Sequence, residues 1–299
     1  MDKTRSLHLI GCAAGVAGAD KNSGLGPLTI QKSSFLTDLI KKYNSLQWEA
    51  MLQSEGRESL PIDQSVRSIC EQLAKKVSGL VKQEKRIVVI GGDHSCAIGT
   101  WSGVYDAMHQ QGEIGLIWVD AHMDSHTPET SESGRIHGMP LACLLGHGYP
   151  SLTTILHHAP KIKPENLFLI GVRSFERGEA ELLKRLNVRV YFMDEVRERG
   201  LSVVFNEAVN AVKQNTFAYG LSIDIDAIDP QEAPGVDVPE ANGILASDLC
   251  GVLREVASDP KLIATEIVEF DPKHDMSQMT EKLIVTFLKI LTEGNENKI

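Results

Sequence analysis

Short apolar runs alternate with amphipathic stretches along nearly the whole chain, and this alternation constrains the fold more than any other feature. Each run is five to seven residues long, the length of a strand rather than of a buried helix. Runs that are apolar on both faces are typical of parallel strands covered by helices. The pattern therefore predicts an α/β fold with a parallel sheet. The seven predicted strands are Leu7–Gly11, Arg86–Ile90, Ile114–Val119, Leu167–Gly171, Val188–Phe192, Phe217–Ile223 and Leu262–Val268.

The segments between the strands carry apolar residues three and four positions apart, which is the spacing of a helix that buries one face. Two stretches rich in Gly and Pro, Asp20–Pro27 and Asp229–Gly243, are predicted loops. No linker, repeat or low-complexity block divides the 299 residues, so residues 1–299 are predicted to form a single domain. The predicted helices are 63–83, 178–186, 201–214, 246–257 and 276–291.

The charge balance excludes some classes of partner. The chain has 30 basic and 40 acidic side chains, a net charge of −10, which argues against binding a nucleic-acid backbone. No apolar run approaches the roughly 20 residues that cross a bilayer, and Met1–Arg5 leads into a predicted strand rather than a signal core. Five scattered cysteines without CxxC spacing indicate reduced thiols. We therefore expect a cytoplasmic protein without a nucleic-acid or membrane partner.

Acidic and histidine side chains follow three of the predicted strands directly. Because the carboxyl ends of parallel strands line one crevice, these side chains are expected to converge. Two imidazoles, including His94, and four carboxylates at one place would repel strongly unless cations neutralised them. Such an oxygen-rich set favours divalent manganese over zinc, and carboxylates that bridge favour two ions. One such cluster alone is common on solvated turns, so the prediction depends on all three: Gly91–Ser95, Asp120–Asp124 and Asp224–Asp226.

These clusters resemble the motifs of the ureohydrolases, the arginase and agmatinase family of binuclear manganese enzymes. The matching stretches are GGDHS at 91–95, DAHMD at 120–124 and SIDIDAIDP at 222–230, in the family's order, and the resemblance extends from the first strand to Pro272. It implies a single-domain, three-layer α/β/α fold with a parallel, eight-stranded sheet. It further implies two Mn²⁺ per chain, a small guanidino substrate and a homo-oligomer, either a trimer or a hexamer.

The resemblance also implies which residues hold the ions and what they do. Two cations that share a water would give a hydroxide near neutral pH, and Asp124 would orient it for attack on the guanidinium carbon. The tetrahedral intermediate would collapse to urea and an amine, which needs a proton. The implied ligands are His94, Asp120, Asp124 and Asp224 for one ion, and His122, Asp120, Asp224 and Asp226 for the other.

Three further residues are implied to act on the substrate. Residues 127–138 look like the arginase loop that carries the serine contacting the substrate α-carboxylate, here Ser133, and the proton-shuttle histidine, here His137. The agmatinase pattern lacks the Ser-Gly-x-x-His form of this loop. Glu269 matches the family's guanidinium-binding glutamate, whose paired hydrogen bonds would orient the reacting carbon. Without the resemblance, His137 is equally well a helix-start histidine. A solvated strand-end acid is the alternative for Glu269, but its apolar neighbours favour a position at a strand end that faces the same crevice.

Three departures from the arginase pattern concern the substrate. His126 stands where arginases usually carry an asparagine for the α-carboxylate, and Glu176 where they usually carry an aspartate for the α-amino group. Both keep polar functions that suit an amino-acid substrate. Asp237 adds a negative charge, which favours a cationic tail without a carboxylate, as in agmatine.

We therefore expect an arginase-type amidinohydrolase that converts L-arginine to L-ornithine and urea. An agmatinase or another guanidino-compound ureohydrolase is the alternative within the family. A catalytically inactive, metal-binding family member is the alternative of a different class. The complete ligand set, with His137 and Glu269 present, argues against an inactive member.

Overall fold

Eight strands alternate with helices in the computed structural model, which describes residues 6–18, 21–53 and 60–296. The strands form one sheet in the order β2-β1-β3-β8-β7-β4-β5-β6, and every neighbouring pair is parallel. The predicted parallel, eight-stranded sheet is therefore confirmed. The strands are β1 (Leu7–Ala13), β2 (Leu46–Gln53), β3 (Arg86–Gly91), β4 (Ile114–Val119), β5 (Leu167–Val172), β6 (Arg189–Phe192), β7 (Ala218–Asp224) and β8 (Leu262–Val268).

Helices cover both faces of the sheet, which gives the three layers. One apolar core includes side chains from α1, α2 and α8 to α11, and the other includes side chains from α3 to α7. Successive residues of β3 alternate between the two cores: Val88 and Ile90 belong to the first, Ile87 and Val89 to the second. The helices are α1 (Gly26–Lys32), α2 (Ser34–Lys42), α3 (Ile62–Val81), α4 (Ala97–Met108), α5 (Pro140–Leu144), α6 (Pro150–Thr153), α7 (Arg177–Arg185), α8 (Met193–Arg199), α9 (Leu201–Asn215), α10 (Ala246–Val256) and α11 (Met279–Glu296).

The structure corrects the sequence prediction in several places, and helices α2, α5, α6 and α8 are among the elements that were not predicted. Strand β2 was not predicted, because this edge strand has the mixed sequence LQWEAMLQ and buries only Leu46 completely. The prediction of a loop at Asp20–Pro27 is wrong for residues 21–27, which contain a 3₁₀ turn at Asn22–Leu25 and the start of α1. Helix α4 was missed because it is buried on nearly every side and shows no polar face.

Other predictions stand or lie outside the described residues. Asp229–Gly243 contains no helix or strand, as predicted. Met1–Arg5 and Asp20 lie outside the described residues. Within the described ranges, none of the helices has the length and apolar character needed to cross a membrane.

The centre of the sheet positions the predicted site. Strands β3, β8, β7 and β4 are neighbours, so their carboxyl ends lie side by side at one edge. The register pairs Trp118 with Ser222 and Ser222 with Glu266, so these three residues form a row across β4, β7 and β8 just before the strands end. The segments that follow the strands carry the acidic and histidine clusters.

Candidate metal centre

Three carboxylates converge on one imidazole at the ends of the central strands. The Nδ1 atom of His94 lies 2.9 Å from Asp224 Oδ2, 3.0 Å from Asp124 Oδ2 and 3.2 Å from Asp120 Oδ2. All four side chains are buried, and their donor atoms form a group that could hold one metal ion. Donor atoms that share a cation at about 2.1 Å, at right angles, lie about 3 Å apart. The spacing therefore fits a metal ion.

A second group shares Asp120 with the first. The Nδ1 atom of His122 lies 2.9 Å from Asp226 Oδ2 and 3.6 Å from Asp120 Oδ1. Asp120 thus offers one oxygen to each group, as a bridging carboxylate does. Asp224 belongs to the first group only. The structure therefore brings together all six predicted ligands but places three, not four, in the second group.

The spacing of two residues within each motif has a local cause. Asp120 Oδ1 accepts a hydrogen bond of 2.6 Å from the His122 N–H, just as Asp224 accepts one from Asp226. A carboxylate that binds the backbone two residues ahead closes a tight turn, which directs the second side chain to the same place as the first. Each motif therefore folds its two ligands toward one centre.

The pKa values of these groups show that positive charges of the chain do not balance the negative charges of the site. Burial raises the pKa of Asp224 well above its usual value, and the Asp226 and Asp120 carboxylates raise it further. Burial and Asp120 together raise the pKa of Asp124 to about 7. Burial lowers the pKa of His94, but the three facing carboxylates outweigh burial and raise it well above 6.5. The centre therefore needs positive charge, which either protons or metal ions provide.

A chain of hydrogen bonds fixes the orientation of His94. The Ser222 hydroxyl donates to Glu266 Oε2 at 3.1 Å and accepts from His94 Nε2 at 3.0 Å, which places a proton on Nε2. The imidazole also stacks on Trp118 with ring centroids 4.0 Å apart. Nδ1 forms no hydrogen bond although it is buried, and with Nε2 protonated its lone pair is free to face the carboxylates. Such a lone pair fits a metal ligand.

Sequence reasoning assigned no role to Ser222 or Glu266. Both lie inside strands, whereas the prediction considered only residues that directly follow a strand. The available signal was Glu266 itself, an acid in an otherwise apolar strand, which is fully buried and also accepts the Thr100 hydroxyl. Buried carboxylates without a partner are rare, so such a residue points to a hydrogen-bond network.

His137 and Glu269 lie together beside the first group. His137 Nδ1 is 3.2 Å from Glu269 Oε1, and the same oxygen accepts a hydrogen bond of 2.7 Å from the His94 N–H. Burial alone lowers the pKa of His137, but Glu269 outweighs it and raises the pKa to about 9. Among the described residues none donates a hydrogen bond to Glu269 Oε2, which is therefore available to a ligand.

Two of these residues have unusual backbones. Asp124 has φ of 46° and Glu269 has φ of 61°, in the left-handed region that non-glycine residues rarely adopt. The Glu269 backbone is held by a hydrogen bond of 2.8 Å from its N–H to the Gly92 carbonyl, and the Asp124 carbonyl accepts the Leu141 N–H at 2.9 Å. Strained residues of this kind cluster at functional sites.

A cavity of about 340 Å³ opens onto the centre. Its floor includes Asp124, Asp224 and Asp226, and one wall is formed by the loop with Ser133. A larger cavity of about 680 Å³ lies at the opposite edge of the sheet, and no predicted site residue lines it. Of the predicted site residues, the smaller cavity is lined by His122, Asp124, His126, Ser133, His137, Glu176, Asp224, Asp226 and Glu269.

The part of the lining at the start of α7 is acidic. His126 Nε2 lies 3.4 Å from Glu176 Oε2 and 3.4 Å from Glu179 Oε2. Glu176 and Glu179 form a capping box at the start of α7, in which each side chain accepts the backbone N–H of the other. Sequence reasoning missed Glu179, although a glutamate three residues after another at a helix start is the signal of such a box.

Asp237 is one of the departures from the arginase pattern, and the structure shows where it lies relative to the cavity. Val236 and Val238 line the cavity, but Asp237 between them does not. The acid from this segment that does line the cavity is Glu240, whose Oε1 lies 3.8 Å from His122 Nε2. Sequence reasoning therefore chose the wrong acid of this loop as a cavity residue.

A buried cluster of two histidines and four aspartates at the ends of a parallel sheet is a site for a metal-dependent enzyme. A family model described as the arginase family matches residues 6–292, and the chain belongs to that family. The predicted ureohydrolase family and the predicted hydrolase class are thus confirmed.

Individual relatives agree with this assignment. The arginase of Bacillus caldovelox is 39% identical over 237 residues, which cover 79% of this chain and 78% of the relative. A crystal structure of arginase from Bacillus subtilis covers 99% of both chains at 33% identity, with a TM-score of 0.87. A structure of Entamoeba histolytica arginase in complex with L-ornithine covers 96% of this chain and 98% of that one at 29% identity, with a TM-score of 0.85.

Proposed function

We propose that this protein is a manganese-dependent arginase that hydrolyses L-arginine to L-ornithine and urea. The observation that carries the proposal is the convergence of all six predicted ligands into two overlapping groups beside one cavity, which four of the six line. The family and its named relatives, one of them a complex with L-ornithine, support arginine as the substrate.

The donor chemistry supports a pair of Mn²⁺ ions. His94, Asp120, Asp124 and Asp224 would hold the first ion. Asp120, His122 and Asp226 would hold the second, with Asp224 as its fourth predicted ligand. Carboxylate-rich sets with some imidazole suit manganese. Two bound cations would supply hydroxide at neutral pH by lowering the pKa of water.

Glu269 would orient the guanidinium group. Its Oε1 contacts the His94 N–H and His137 Nδ1, and these two contacts fix the orientation of the carboxylate. Its Oε2 can then accept a hydrogen bond from the planar guanidinium of the substrate. A charge-assisted hydrogen bond of this kind fixes the reacting carbon relative to the floor of the cavity, where Asp124 would orient the nucleophile.

His137 would protonate the leaving amine. It lines the cavity, and its pKa of about 9 keeps the imidazole protonated at neutral pH. A protonated imidazole near the reacting C–N bond is a general acid for the collapse of the tetrahedral intermediate. Ser133, His126 and Glu176 would contact the amino-acid end of the substrate at the rim.

Agmatine is the second candidate substrate. Its main support was the charge of Asp237, and that residue does not line the cavity. The inactive family member is disfavoured because His137 and Glu269 lie in hydrogen-bonding distance beside a complete ligand group.

A substrate panel tests the proposal. The purified chain, loaded with Mn²⁺, is assayed for urea release from L-arginine, agmatine and 4-guanidinobutyrate under identical conditions. We expect kcat/KM for L-arginine to exceed that for agmatine at least about tenfold, since each lost charged contact has that order of effect. Equal or higher turnover of agmatine would refute the arginase assignment and leave the family intact.

Three broader expectations complete the proposal: a single domain over residues 1–299, a cytoplasmic location and a homo-oligomer, either a trimer or a hexamer. They rest on the sequence pattern and on the resemblance to the family. Light scattering of the metal-loaded protein measures the subunit number directly.

A further inference from the structure

The side chains that line the 340 Å³ cavity carry unequal numbers of positive and negative charges. Among the described residues the lining includes one permanently cationic side chain, that of Arg135. A guanidinium group in such a setting would be expected to pair with one of the acids. The acids in the lining are Asp124, Glu176, Glu179, Asp224, Asp226, Glu240 and Glu269.

Arg135 nevertheless pairs with none of them. Within the described part of the chain its guanidinium forms no hydrogen bond and no ion pair within 4.0 Å, and its side chain is exposed at the rim. Arg173, by contrast, donates to the backbone carbonyls of Asp226 and Glu240 and so holds the opposite loop in place. The Arg135 guanidinium can thus bind a ligand, whereas the Arg173 guanidinium stabilises the fold.

The backbone of the loop fixes where Arg135 stands. Its N–H donates to Ser133 Oγ at 3.3 Å, and the Gly134 N–H donates to Ser131 Oγ at 3.1 Å, with Gly134 at φ of 69°. The next residue, Ile136, is completely buried and anchors the turn. Ser133 Oγ accepts the Arg135 N–H and lies 3.5 Å from Ser131 Oγ; when Ser131 is the donor of that contact, the Ser133 hydroxyl proton can be donated to a ligand.

We propose that Arg135 binds the substrate carboxylate and thereby selects guanidino acids over guanidino amines. The inference rests on the proposed function, because the substrate must carry its guanidinium toward Glu269. Two of the three charged groups of L-arginine are cationic and match the carboxylates of Glu269 and Glu176 in the lining. The third is a carboxylate, and Arg135 and Ser133 are the charged and neutral donors on the remaining wall.

The same residue acts against the competing substrate. The end of agmatine that lies away from the guanidinium is an ammonium group, which a guanidinium at the rim repels. Discrimination then comes from an attractive contact with one substrate and a repulsive one with the other. This effect is opposite to that expected from Asp237.

Charge removal at Arg135 tests the assignment. The variants are Arg135→Gln, which keeps hydrogen-bond donors without charge, and Arg135→Lys, which keeps the charge. Arg185→Gln is the matched control, since Arg185 is an exposed arginine on α7 outside the cavity. KM and kcat are measured with L-arginine, 4-guanidinobutyrate and agmatine.

We expect Arg135→Gln to raise KM about tenfold for both carboxylate substrates, with kcat changed less than about twofold, because an exposed charged contact is modest in strength. Its kcat/KM for agmatine stays equal or rises. Arg135→Lys retains most of the affinity for L-arginine, and Arg185→Gln behaves as wild type. An unchanged KM for L-arginine in Arg135→Gln, or an equal loss on agmatine, overturns the inference.

A binding measurement separates this inference from the proposed function. Calorimetry compares L-ornithine, which carries a carboxylate, with putrescine, which lacks one. We expect Arg135→Gln to weaken L-ornithine binding about tenfold and to leave putrescine unchanged. If the wild-type chain releases urea from none of the guanidino compounds, the proposed function is wrong, while the calorimetric result still decides the role of Arg135. Equal affinities of wild type and variant for L-ornithine, or no binding by either, overturn it.

Discussion

Acidic side chains have different partners at the two edges of the sheet. At the amino-terminal edge two acids each lie beside a lysine: Asp106 lies 2.7 Å from Lys82, and Asp259 lies 2.6 Å from Lys213. At the carboxyl-terminal edge no lysine of the described residues lines the cavity, and the acids of the metal centre face one another and two histidines. The difference shows where the chain supplies its own cations and where it leaves them to be bound.

The pKa values of three acids follow the same division. Burial would raise the pKa of Asp106, but hydrogen bonds from Lys82, Ser78 and His157 outweigh it and lower the pKa well below 3.8. At the other edge, burial and like charges raise the pKa values of Asp124 and Asp224, whereas His122 and His94 outweigh burial and lower the pKa of Asp120. Asp124 and Asp224, which are destabilised as anions, gain most from a bound cation.

The largest predicted effect comes from removing a charge at the carboxyl-terminal edge. Asp226→Asn removes a charged ligand of the second group, so we expect about one metal ion fewer per chain and a loss of urea release of at least about 100-fold. Elemental analysis and the urea assay measure the two effects. Asp259→Asn at the other edge is the control and keeps both metals. Full activity of Asp226→Asn would rule out the two-metal centre.

The second prediction separates the proton donor from the metals. His137→Asn removes the general acid, and we expect kcat to fall about 100-fold or more with both metal ions retained. Metal content and kcat are measured on the same preparation. A variant with unchanged kcat would exclude His137 as the donor, and one that loses metal would mean that its role is structural.

The third prediction concerns the chain of hydrogen bonds behind His94. Ser222→Ala breaks the link between His94 Nε2 and Glu266, so the imidazole is no longer held in one tautomer and orientation. We expect the affinity for the metal ion of the first group, which includes His94, to fall about 10-fold to 100-fold. Metal titration by calorimetry detects this without an activity assay. Ser102→Ala, a buried serine on α4 outside the cavity, is the control.

The smallest prediction is at the amino-terminal edge. Asp106→Asn weakens the contacts with Lys82, Ser78 and His157, and we expect a loss of about 1 kcal/mol in the free energy of unfolding at pH 7. Because the folded pKa of Asp106 is below its unfolded value of 3.8, its contribution is complete above that value and declines as the pH falls below it.

Urea denaturation at pH 7, 5 and 3 checks the sign of this effect. The difference between wild type and Asp106→Asn should be equal at pH 7 and 5 and smaller at pH 3. A difference that grows toward acid would contradict the assignment of Asp106 as a stabilised anion. Metal binding and urea release at neutral pH should not change, since this acid is far from the cavity lining.

Much of the site followed from the sequence because its geometry is local. A polar pair two residues apart after a buried strand closes a turn and points to the strand end, so Asp120 and Asp224 could be placed without a structure. Ser222 and Glu266 could not, since their contact depends on the register between β7 and β8. Register is set by the whole sheet and leaves no local signal.

The loops were harder to predict for a different reason. Whether Asp237 or Glu240 lines the cavity depends on how residues 229–243 fold, and no helix or strand periodicity constrains them. Arg135 drew no attention because exposed arginines are common, and only its position among the acids of the cavity lining distinguishes it. Edge strand β2 was missed since its outer side is not buried.

The capping box of α7 has a consequence for how this protein could diverge. Glu176 and Glu179 face His126 at the cavity, yet they also satisfy backbone N–H groups at the first turn of the helix. A substitution there that altered substrate choice would also cost about 1 kcal/mol of helix stability. Ser133 and Arg135 lie on an exposed turn outside any helix, where Ser133 Oγ accepts only one backbone N–H, that of Arg135 at 3.3 Å, and the Arg135 side chain bonds no backbone group of the described residues. New specificities should therefore arise first on the 131–135 loop, and the α7 wall should change only in lineages that had already gained stability elsewhere.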